Sequence, residues 1–386
     1  MKHWEKINLG DAATFINGYA FKPKDWEKEG KGGKEIIRIQ NLTKSSKEVN
    51  YYNGTLPEKK KKKKGDLLIS WSATLGVYEW KDDDAWLNQH IFKVVFDKKE
   101  FNKRFFKYVI QNSLHAMSRN IHGSTMKHIT KKRFDNLQIP LPPLPTQKKI
   151  ADLLDTADKL RQKTQAVIDH YDQLAQSLFL EMFGDPVKNP MGWEKEILEK
   201  LGTIVTGSTP PSSKEGMFGG HIPFITPADL ESGVLHTRTV TQEGAKRSRV
   251  VRKGALMVCC IGTIGKKDIV KEPSAFNQQI NAVEWNTRKV NDLYALHAFT
   301  FTKNEVIKRA SSTTLPILKK SAFAQIKLAV PPILIQNQFA ERIALIEQQK
   351  ELAKKSLEES ENLFNALMQK AFKGEIEVSE AAEVAG

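Results

Sequence analysis

The chain of 386 residues is long enough for two or three domains, each with a hydrophobic core of its own. Its formal charge of +15 and its pI of about 9.5 favour a polyanionic partner, because cations that neutralise phosphates release counterions. No apolar stretch has the length of a membrane span, the segment MKHWEKINLG lacks the apolar core of a signal peptide, and the only cysteines are the neighbours Cys259 and Cys260. These features predict a cytoplasmic protein with neither a membrane segment nor a disulfide.

The two halves of the chain open alike, because Trp4 and Trp193 begin similar segments 189 residues apart. In each segment a β-branched or aromatic run ends at a glycine, Gly18 or Gly207, which predicts a strand that turns there. Short strands at residues 36–42 and 222–230 then lead to polar tips. The tips differ between the halves, with Arg38, Gln40 and Asn41 in the first and Thr226 and Asp229 in the second.

Six consecutive lysines at residues 59–64 form the densest cluster of charge. Such a run is typical of a solvated, mobile loop that attracts nucleic acid without sequence preference. Its counterpart 189 residues later, SRVVRK at 248–253, is less basic.

A buried strand is predicted at residues 65–70 and again at 254–259. The loops that follow, 72–76 and 261–265, contain glycine and threonine, and their backbone N–H groups and hydroxyls would suit phosphate contact. They lack the spacing of a P-loop, and a structural hairpin is an equally good interpretation.

An Asn-Gln pair recurs as Asn88-Gln89 and Asn277-Gln278. Amide side chains can offer a donor and an acceptor to an adenine edge, but they also tie down loops, and both roles stay open. A helix is predicted next, at 101–119 and 291–309. Polar loops with nearby lysines follow at 122–128 and 311–316, as backbone-contacting loops or as plain surface.

No set of residues has the spacing of a catalytic site or a metal site. The Pro-Pro pairs read LPPL and VPPI, unlike the motif of an amino-methyltransferase, and no Gly-rich cofactor loop follows a strand. His115, His122 and His128 lie close together but lack a cysteine or carboxylate set at ligand spacing. The sequence therefore predicts a chain without catalytic or metal-binding residues.

A proline step and a long helix end each half. Phe134 matches Phe323, and the polar-apolar run that follows the prolines predicts one helix of about 35 residues, roughly 50 Å long. In the first copy, apolar residues recur at alternating steps of three and four, as in the seam of a coiled coil; this seam comprises Ile150, Leu153, Ala157, Leu160, Val167, Tyr171, Leu174 and Leu178. The looser seam of the second copy comprises Phe339, Ile343, Ile346, Ala353, Leu357, Phe364 and Leu367.

The simplest interpretation is that the two helices pair antiparallel, which would relate the halves by a pseudo-twofold axis. The alternative is two surface helices, each packed on its own domain. The predicted fold is of the α+β (mixed α/β) class, with two similar domains separated by an antiparallel pair of long coiled-coil helices. The boundaries are a first domain at 1–145, a helix at 146–183, a linker at 184–192, a second domain at 193–334, a helix at 335–373 and a flexible tail at 374–386.

In this order, several of these segments resemble the DNA-specificity (S) subunit of a type I restriction-modification system. The resemblance covers essentially the whole chain and is carried by LFLEMFGDPVKNPMGW at 178–193, VTGSTP at 205–210, GTIG at 262–265, NQQI at 277–280 and the paired proline steps. It implies two α/β target-recognition domains, each reading one half of a bipartite DNA site, with helices that set the spacing. It also implies that the chain is not itself an enzyme and binds no cofactor.

The same resemblance implies two docked methyltransferase subunits that bind S-adenosylmethionine, and restriction/translocase subunits that join through that complex. The predicted DNA contacts lie on loops between apolar runs. They are Lys22, Arg38, Gln40, Asn41, Ser72, Thr74, Ser124, Thr125, Lys127, Ser208, Thr209, Arg247, Thr263, Lys266, Thr313 and Thr314. The competing hypotheses are a stand-alone structural or transcriptional DNA-binding protein and the recognition part of a fused restriction enzyme.

Overall fold

The structure, a computed structural model, describes residues 4–29, 32–119, 130–233, 236–311 and 315–376. It divides into two compact units, the first formed by Met1–Lys163 with Ser356–Gly386 and the second by Thr164–Lys355. Each unit combines one sheet-containing domain with segments of two long helices. The predicted α+β class, with two sheet-containing domains and long helices, is confirmed.

The domain of the first unit consists of short strands and helices. Its strands are β1 (Glu5–Asn8), β2 (Thr14–Asn17), β3 (Lys34–Ile37), β4 (Asn50–Tyr52), β5 (Lys61–Lys62), β6 (Leu67–Ser70), β7 (Gly76–Glu79), β8 (Ala85–Leu87), β9 (Ile91–Val95) and β10 (Gln138–Leu141). Its helices are α1 (Leu9–Ala12), α2 (Ile39–Leu42), α3 (Lys103–Arg119) and α4 (Lys131–Asp135), with 3-10 turns at Pro23–Asp25 and Glu58–Lys60.

The first long helix, α5, spans Leu144–Phe183 and begins two residues before the predicted start, because Pro145 fits in the first turn of a helix. The domain of the second unit follows it. Its strands are β11 (Lys195–Ile197), β12 (Gly202–Thr206), β13 (Phe218–Ile225), β14 (Arg238–Val240), β15 (Val250–Val251), β16 (Leu256–Cys259), β17 (Lys267–Ile269), β18 (Ser274–Phe276), β19 (Ile280–Trp285) and β20 (Lys327–Ala329). Its helices are α6 (Leu198–Leu201), α7 (Gln242–Lys246), α8 (Asp292–Lys308) and α9 (Lys320–Ala324), and the second long helix, α10, spans Ile333–Lys373.

The two domains share one strand topology. In the first, β2-β9-β6-β7 form an antiparallel sheet, β4-β3-β8-β5 form a mixed sheet, and β1 pairs with β10. In the second, β12-β19-β16-β17, β14-β13-β18-β15 and β11-β20 repeat that arrangement, including the parallel pair of the mixed sheet, β3 with β8 and β13 with β18. The sequence repeat is therefore a repeat of complete domains.

Each unit builds its main core from a domain and from both long helices. In the second unit α5 and α10 run antiparallel, because Asp172 pairs with Lys350 while Phe179, further along α5, packs against Phe339, earlier in α10. In the first unit the end of α10 joins the domain, where Phe364 meets the ring of Tyr108. The alternative in which each helix packs only on its own domain is thus wrong. Among the helices of the described ranges, none combines the length and the hydrophobicity that a membrane span requires.

The predicted stripe of α5 needs a correction at four of its eight positions. Leu153, Leu160, Val167 and Leu174 are 37 to 50 % exposed, while the neighbours Leu154, Ile168 and Ala175 are buried and Arg161 is half-buried. Ile150 and Ala157 are buried as expected, and Tyr171 and Leu178 are half-buried. At residue 160 the prediction was wrong because it chose leucine over the neighbouring arginine, whereas the guanidinium of Arg161 lies in the seam, 4.8 Å from the ring centre of Phe364. On α10 all seven predicted positions are buried or half-buried.

A buried glutamine joins each long helix to its neighbouring domain. Gln147 accepts a hydrogen bond from the backbone N–H of Asn102 (2.9 Å) and donates to the carbonyl of Pro142 (2.9 Å). Gln336 accepts from the N–H of Asn291 (2.9 Å) and donates to the carbonyls of Pro331 (2.7 Å) and Lys289 (3.0 Å). We refer to these two sets of bonds as the glutamine clamps.

Replacing Gln336 with leucine should destabilise the second unit. The change leaves the half-buried N–H of Asn291 and two carbonyls without their buried partner, which costs about 1–3 kcal/mol of unfolding free energy. The matched control is Gln338→Leu, at an exposed position two residues further along α10, which should change stability by less than about 0.5 kcal/mol. Urea denaturation followed by circular dichroism measures both. Equal losses in the two variants would contradict the role of the clamp.

Candidate functional site

The same glycine turn ends β2 and β12. A side chain at Gly18 or Gly207 would place its Cβ 2.1 Å from the carbonyl oxygen of Asn88 or Asn277, so only glycine fits there. The N–H of Gly18 donates to the carbonyl of Ile91, and that of Gly207 to the carbonyl of Ile280, each at 3.1 Å. Both domains thus direct the chain after the turn along the same path.

The Asn-Gln pairs divide into a structural residue and an exposed one. The side-chain oxygen of Asn277 accepts from the N–H of Gln279 (3.1 Å), and Asn88 makes the equivalent, longer bond with the N–H of His90 (3.4 Å). The asparagines therefore tie down loops, which was one of the two alternatives. The next residues, Gln89 and Gln278, are exposed beside the glycine turn, and Thr209 donates its hydroxyl to Gln278 Oε1 at 2.6 Å.

The lysine run packs on the domain, contrary to the expectation of a solvated, mobile loop. Lys60 donates its ammonium to the carbonyls of Asn17 (2.6 Å) and Gly18 (3.1 Å), at the glycine turn itself. Lys61 pairs with Asp84 at 2.8 Å. Lys62 is fully buried, with its ammonium 2.7 Å from the ring centre of Trp80. Half of the run is thus held by carbonyls, a carboxylate and an aromatic ring.

The counterpart of this run lies against the glycine turn of the second domain. Ser248 donates its hydroxyl to the carbonyl of Ser208 at 2.8 Å, which brings exposed Arg247 and Arg249 to the same place. The structure thereby unites Ser208, Thr209 and Arg247, which the sequence had predicted as DNA contacts, with Gln278 and Arg249, which it had not. The fixed offset between 59–64 and 248–253 was the signal that could have located this surface. We name it the glycine-turn surface; in the first domain it comprises Tyr19, Lys59, Lys60 and Gln89.

The polar tips are capped turns in both domains. Asn41 Oδ1 accepts from the N–H of Arg38 (3.0 Å), and Asp229 Oδ2 accepts from the N–H of Thr226 (2.8 Å). Burial alone would raise the pKa of Asp229, but its hydrogen bonds with Thr226 and Thr237 lower it overall. The guanidinium of Arg38 lies over Trp26 and donates to Asn50, so Arg38 and Asn41 are engaged within the domain. Gln40 is half-buried between them.

The Gly-containing loops are hairpins, as the structural alternative held. β6 pairs with β7 and β16 with β17. The N–H groups of Gly262, Ile264 and Gly265 donate to carbonyls within the domain, which leaves these three unavailable to a phosphate. Ser72 is buried, whereas Thr74 and Thr263 are exposed and Lys266 is half-buried.

The remaining predicted contacts divide between exposed and undescribed residues. Lys22 is exposed, three residues after Tyr19. Ser124, Thr125, Lys127, Thr313 and Thr314 lie outside the described residues. Within the described ranges no group of three histidine, cysteine or carboxylate residues is placed to hold a metal ion.

Comparison with known proteins gives one consistent result. The family model of the type I restriction modification DNA specificity domain matches residues 1–170 and again residues 190–362. The match occurs twice, once for each copy of the repeat.

Individual relatives and structures agree. The chain is 25 % identical to the EcoBI type I restriction enzyme specificity subunit of Escherichia coli, over 98 % of this chain and 88 % of that protein. It is 22 % identical to the putative MjaX specificity subunit of Methanocaldococcus jannaschii, over 97 % and 94 %. It shares a fold with the type I restriction-modification S subunit of M. genitalium (TM-score 0.57, 16 % identity, 96 % of each chain). A second solved structure concerns complex assembly and conformational transition of the type I R-M system. Its chain has a TM-score of 0.53 and 17 % identity, over 97 % of this chain and 98 % of that chain.

Burial of Lys62 should make the stability of the first unit depend on pH. Burial lowers the pKa of Lys62 to about 7, although the carboxylates of Glu35, Asp82, Asp84 and Asp66 oppose the change. In the unfolded chain the ammonium keeps its proton up to about pH 10.4. The penalty for burying the charge is therefore full below about pH 7 and fades as the pH rises towards 10.4.

The stability of the wild type relative to Lys62→Met should accordingly rise across this window, by about 1.4 kcal/mol for each pH unit. Urea unfolding at several pH values measures the difference. The exposed neighbour provides the control, because Lys59→Met should show no such trend. A constant difference between wild type and Lys62→Met would contradict the prediction.

Proposed function

The chain belongs to the family of type I restriction-modification DNA specificity domains, and we propose that each of its two domains reads its own half of a bipartite DNA site. The observation that carries this proposal is the repeat of one framework with different exposed side chains. Glycine turns, capped tips and glutamine clamps recur at equivalent positions, while the residues that follow the glycine turns differ. A duplicated scaffold with two different surfaces suits two different half-sites.

The charge of the chain supports DNA as the target. Both glycine-turn surfaces carry exposed cations, Lys59 in the first domain and Arg247 and Arg249 in the second. Cations that meet phosphates contribute sequence-independent affinity and position the protein, while neighbouring polar side chains read base edges. The cations and polar residues of this surface supply both kinds of contact.

We further infer that the long helices set the spacing of the half-sites and dock two methyltransferase subunits. The docking rests on the exposed apolar residues of the helices. Leu153 and Leu160 lie on the part of α5 in the first unit, and Leu345 and Leu352 lie on the part of α10 in the second. Apolar rows in contact with water are typical of an interface that a partner covers.

In this proposal the chain is a non-catalytic subunit of a cytoplasmic complex. The methyl donor, S-adenosylmethionine, belongs to the methyltransferase subunits, and restriction/translocase subunits join through them. This division agrees with the absence of a catalytic spacing in the sequence and with the use of Asn277, Asn41 and Asp229 for loop structure.

Co-expression with a methyltransferase subunit tests the function. We expect methylation of genomic DNA at a motif with two defined halves and a fixed spacer, found by methylation sequencing. The chain alone, incubated with labelled S-adenosylmethionine and duplex DNA, should transfer no methyl group. Methylation by the methyltransferase subunit alone, at the same motif, would overturn the proposal.

Replacing Leu345 with lysine tests the docking face. Leu345 is 64 % exposed on α10, so the change should leave the fold intact but put a charge into the interface. We expect the affinity for the methyltransferase subunit to fall at least tenfold, by titration calorimetry. Ala344→Lys is the matched control, because Ala344 is exposed and projects from α10 about 100° away from Leu345. Equal binding by wild type and both variants would exclude this face.

A further inference from the structure

One exposed position has the same backbone in both domains but different side chains. The N–H of Tyr19 donates to the carbonyl of Leu87 (2.7 Å), and the N–H of Ser208 donates to the carbonyl of Phe276 (2.9 Å). Each residue follows its framework glycine directly. Tyr19 forms a parallel bridge with Asn88, the neighbour of exposed Gln89, and Thr209, the neighbour of Ser208, bonds exposed Gln278. The framework therefore presents a tyrosine in one domain where it presents a serine in the other.

Tyr19 is held in a defined orientation while part of it stays in contact with water. Its ring packs edge to face on Phe21 (centroids 5.0 Å, interplanar angle 71°), and Phe21 packs in the same way on Tyr52 (5.2 Å, 66°). Yet Tyr19 is 39 % exposed, as is Trp26. An aromatic side chain fixed by packing loses little conformational entropy on binding, which favours its use in recognition.

The surroundings of Tyr19 favour a polyanion. Lys60 holds the glycine turn beside it. Lys22, close to Tyr19 in the sequence, and Lys59, the neighbour of Lys60, are both exposed. The equivalent position in the second domain has the hydroxyls of Ser208 and Thr209, with Arg247 and Arg249 close by through the bond from Ser248 to Ser208. Each domain thus combines hydroxyl groups with cations at the same place in the fold.

We propose that Tyr19 is a base-reading residue of the first domain and that Ser208 and Thr209 take this role in the second. The inference rests on the proposed function, since it assigns residues to the half-sites. A tyrosine carries its hydroxyl further from the backbone than a serine, so one framework reaches different base edges in its two copies. Gln89 and Gln278 are glutamines in both domains, so they do not account for a difference between the half-sites.

The comparison of Tyr19 with Ser208 also predicts the effect of a substitution at residue 208. A serine at this point leaves room that the tyrosine fills in the first domain, and Thr209 is oriented by its bond to Gln278. Ser208→Tyr should therefore alter the bases accepted in the second half-site and leave the first half-site unchanged. The exchange gives a gain of new specificity, which a loss of stability cannot imitate.

The test uses the whole chain in complex with its methyltransferase subunit, on duplexes that carry the motif found by methylation sequencing. Tyr19→Ala and Tyr19→Phe are compared with wild type on the native duplex and on duplexes with single base-pair changes. We expect Tyr19→Ala to bind the native duplex at least tenfold more weakly. We expect Tyr19→Phe to lose its discrimination at one base pair of the first half-site, because the hydroxyl is gone while the packing on Phe21 remains.

The equally exposed aromatic of the same domain serves as the control. Trp26→Ala should retain the wild-type preference at every position, and a loss equal to that of Tyr19→Ala would overturn the assignment. The assignment would also be overturned if Tyr19→Phe kept its discrimination between base pairs and Ser208→Tyr kept its second half-site. In that case a bipartite motif in the wild type would keep the proposed function intact. If the wild type itself gave no bipartite motif, the proposed function would fall first.

Discussion

The buried amides of Gln147 and Gln336 are the contacts on which the repeated architecture depends. Each satisfies the N–H of an asparagine whose own side chain caps the next helix: Asn102 accepts from the N–H of Phe105, and Asn291 from the N–H groups of Leu293 and Tyr294. One side chain therefore fixes the start of a long helix, the proline step and the start of α3 or α8 together. Because unsatisfied buried groups are costly, this geometry is specified strongly in both units.

A fixed framework permits variation at exposed positions. The polar groups of the asparagine-tied loops and of the capped tips form hydrogen bonds within their own domain, and the glycine turns leave no space for a side chain. Backbone geometry therefore determines which residues stand at these positions. What remains free to differ is the side chain directly after each glycine, tyrosine in one domain and serine in the other. Recognition can then change without loss of the fold, because the residues that fold the domain are not those that face outwards.

The sequence predicted the large features well and the polar details less well. The repeat, the long helices and the hairpins follow from spacing and composition, which the backbone obeys directly. Arg38 and Asn41 looked like readers because polar residues between apolar runs suggest exposed tips. Only the three-dimensional arrangement shows that Arg38 donates its guanidinium to Asn50 and that Asn41 accepts from the N–H of Arg38. The prediction of a solvated loop at the lysine run was wrong for a related reason, since composition alone cannot reveal that Trp80 lies over Lys62.

The register of α5 shows why an apolar pattern does not by itself identify an intramolecular seam. Its buried residues and its exposed row at Leu153, Leu160, Val167 and Leu174 both follow a seven-residue spacing, displaced by one position. The internal seam tolerates polar groups because Arg161 packs on Phe364 and pairs with Asp158 at 2.6 Å. The four residues of the exposed row are 37 to 50 % exposed, so a large part of their apolar surface stays in contact with water in the folded chain. A second apolar row on a helix that already has its seam therefore supports the proposed docking of another subunit, which would cover part of the surface that this chain leaves in water.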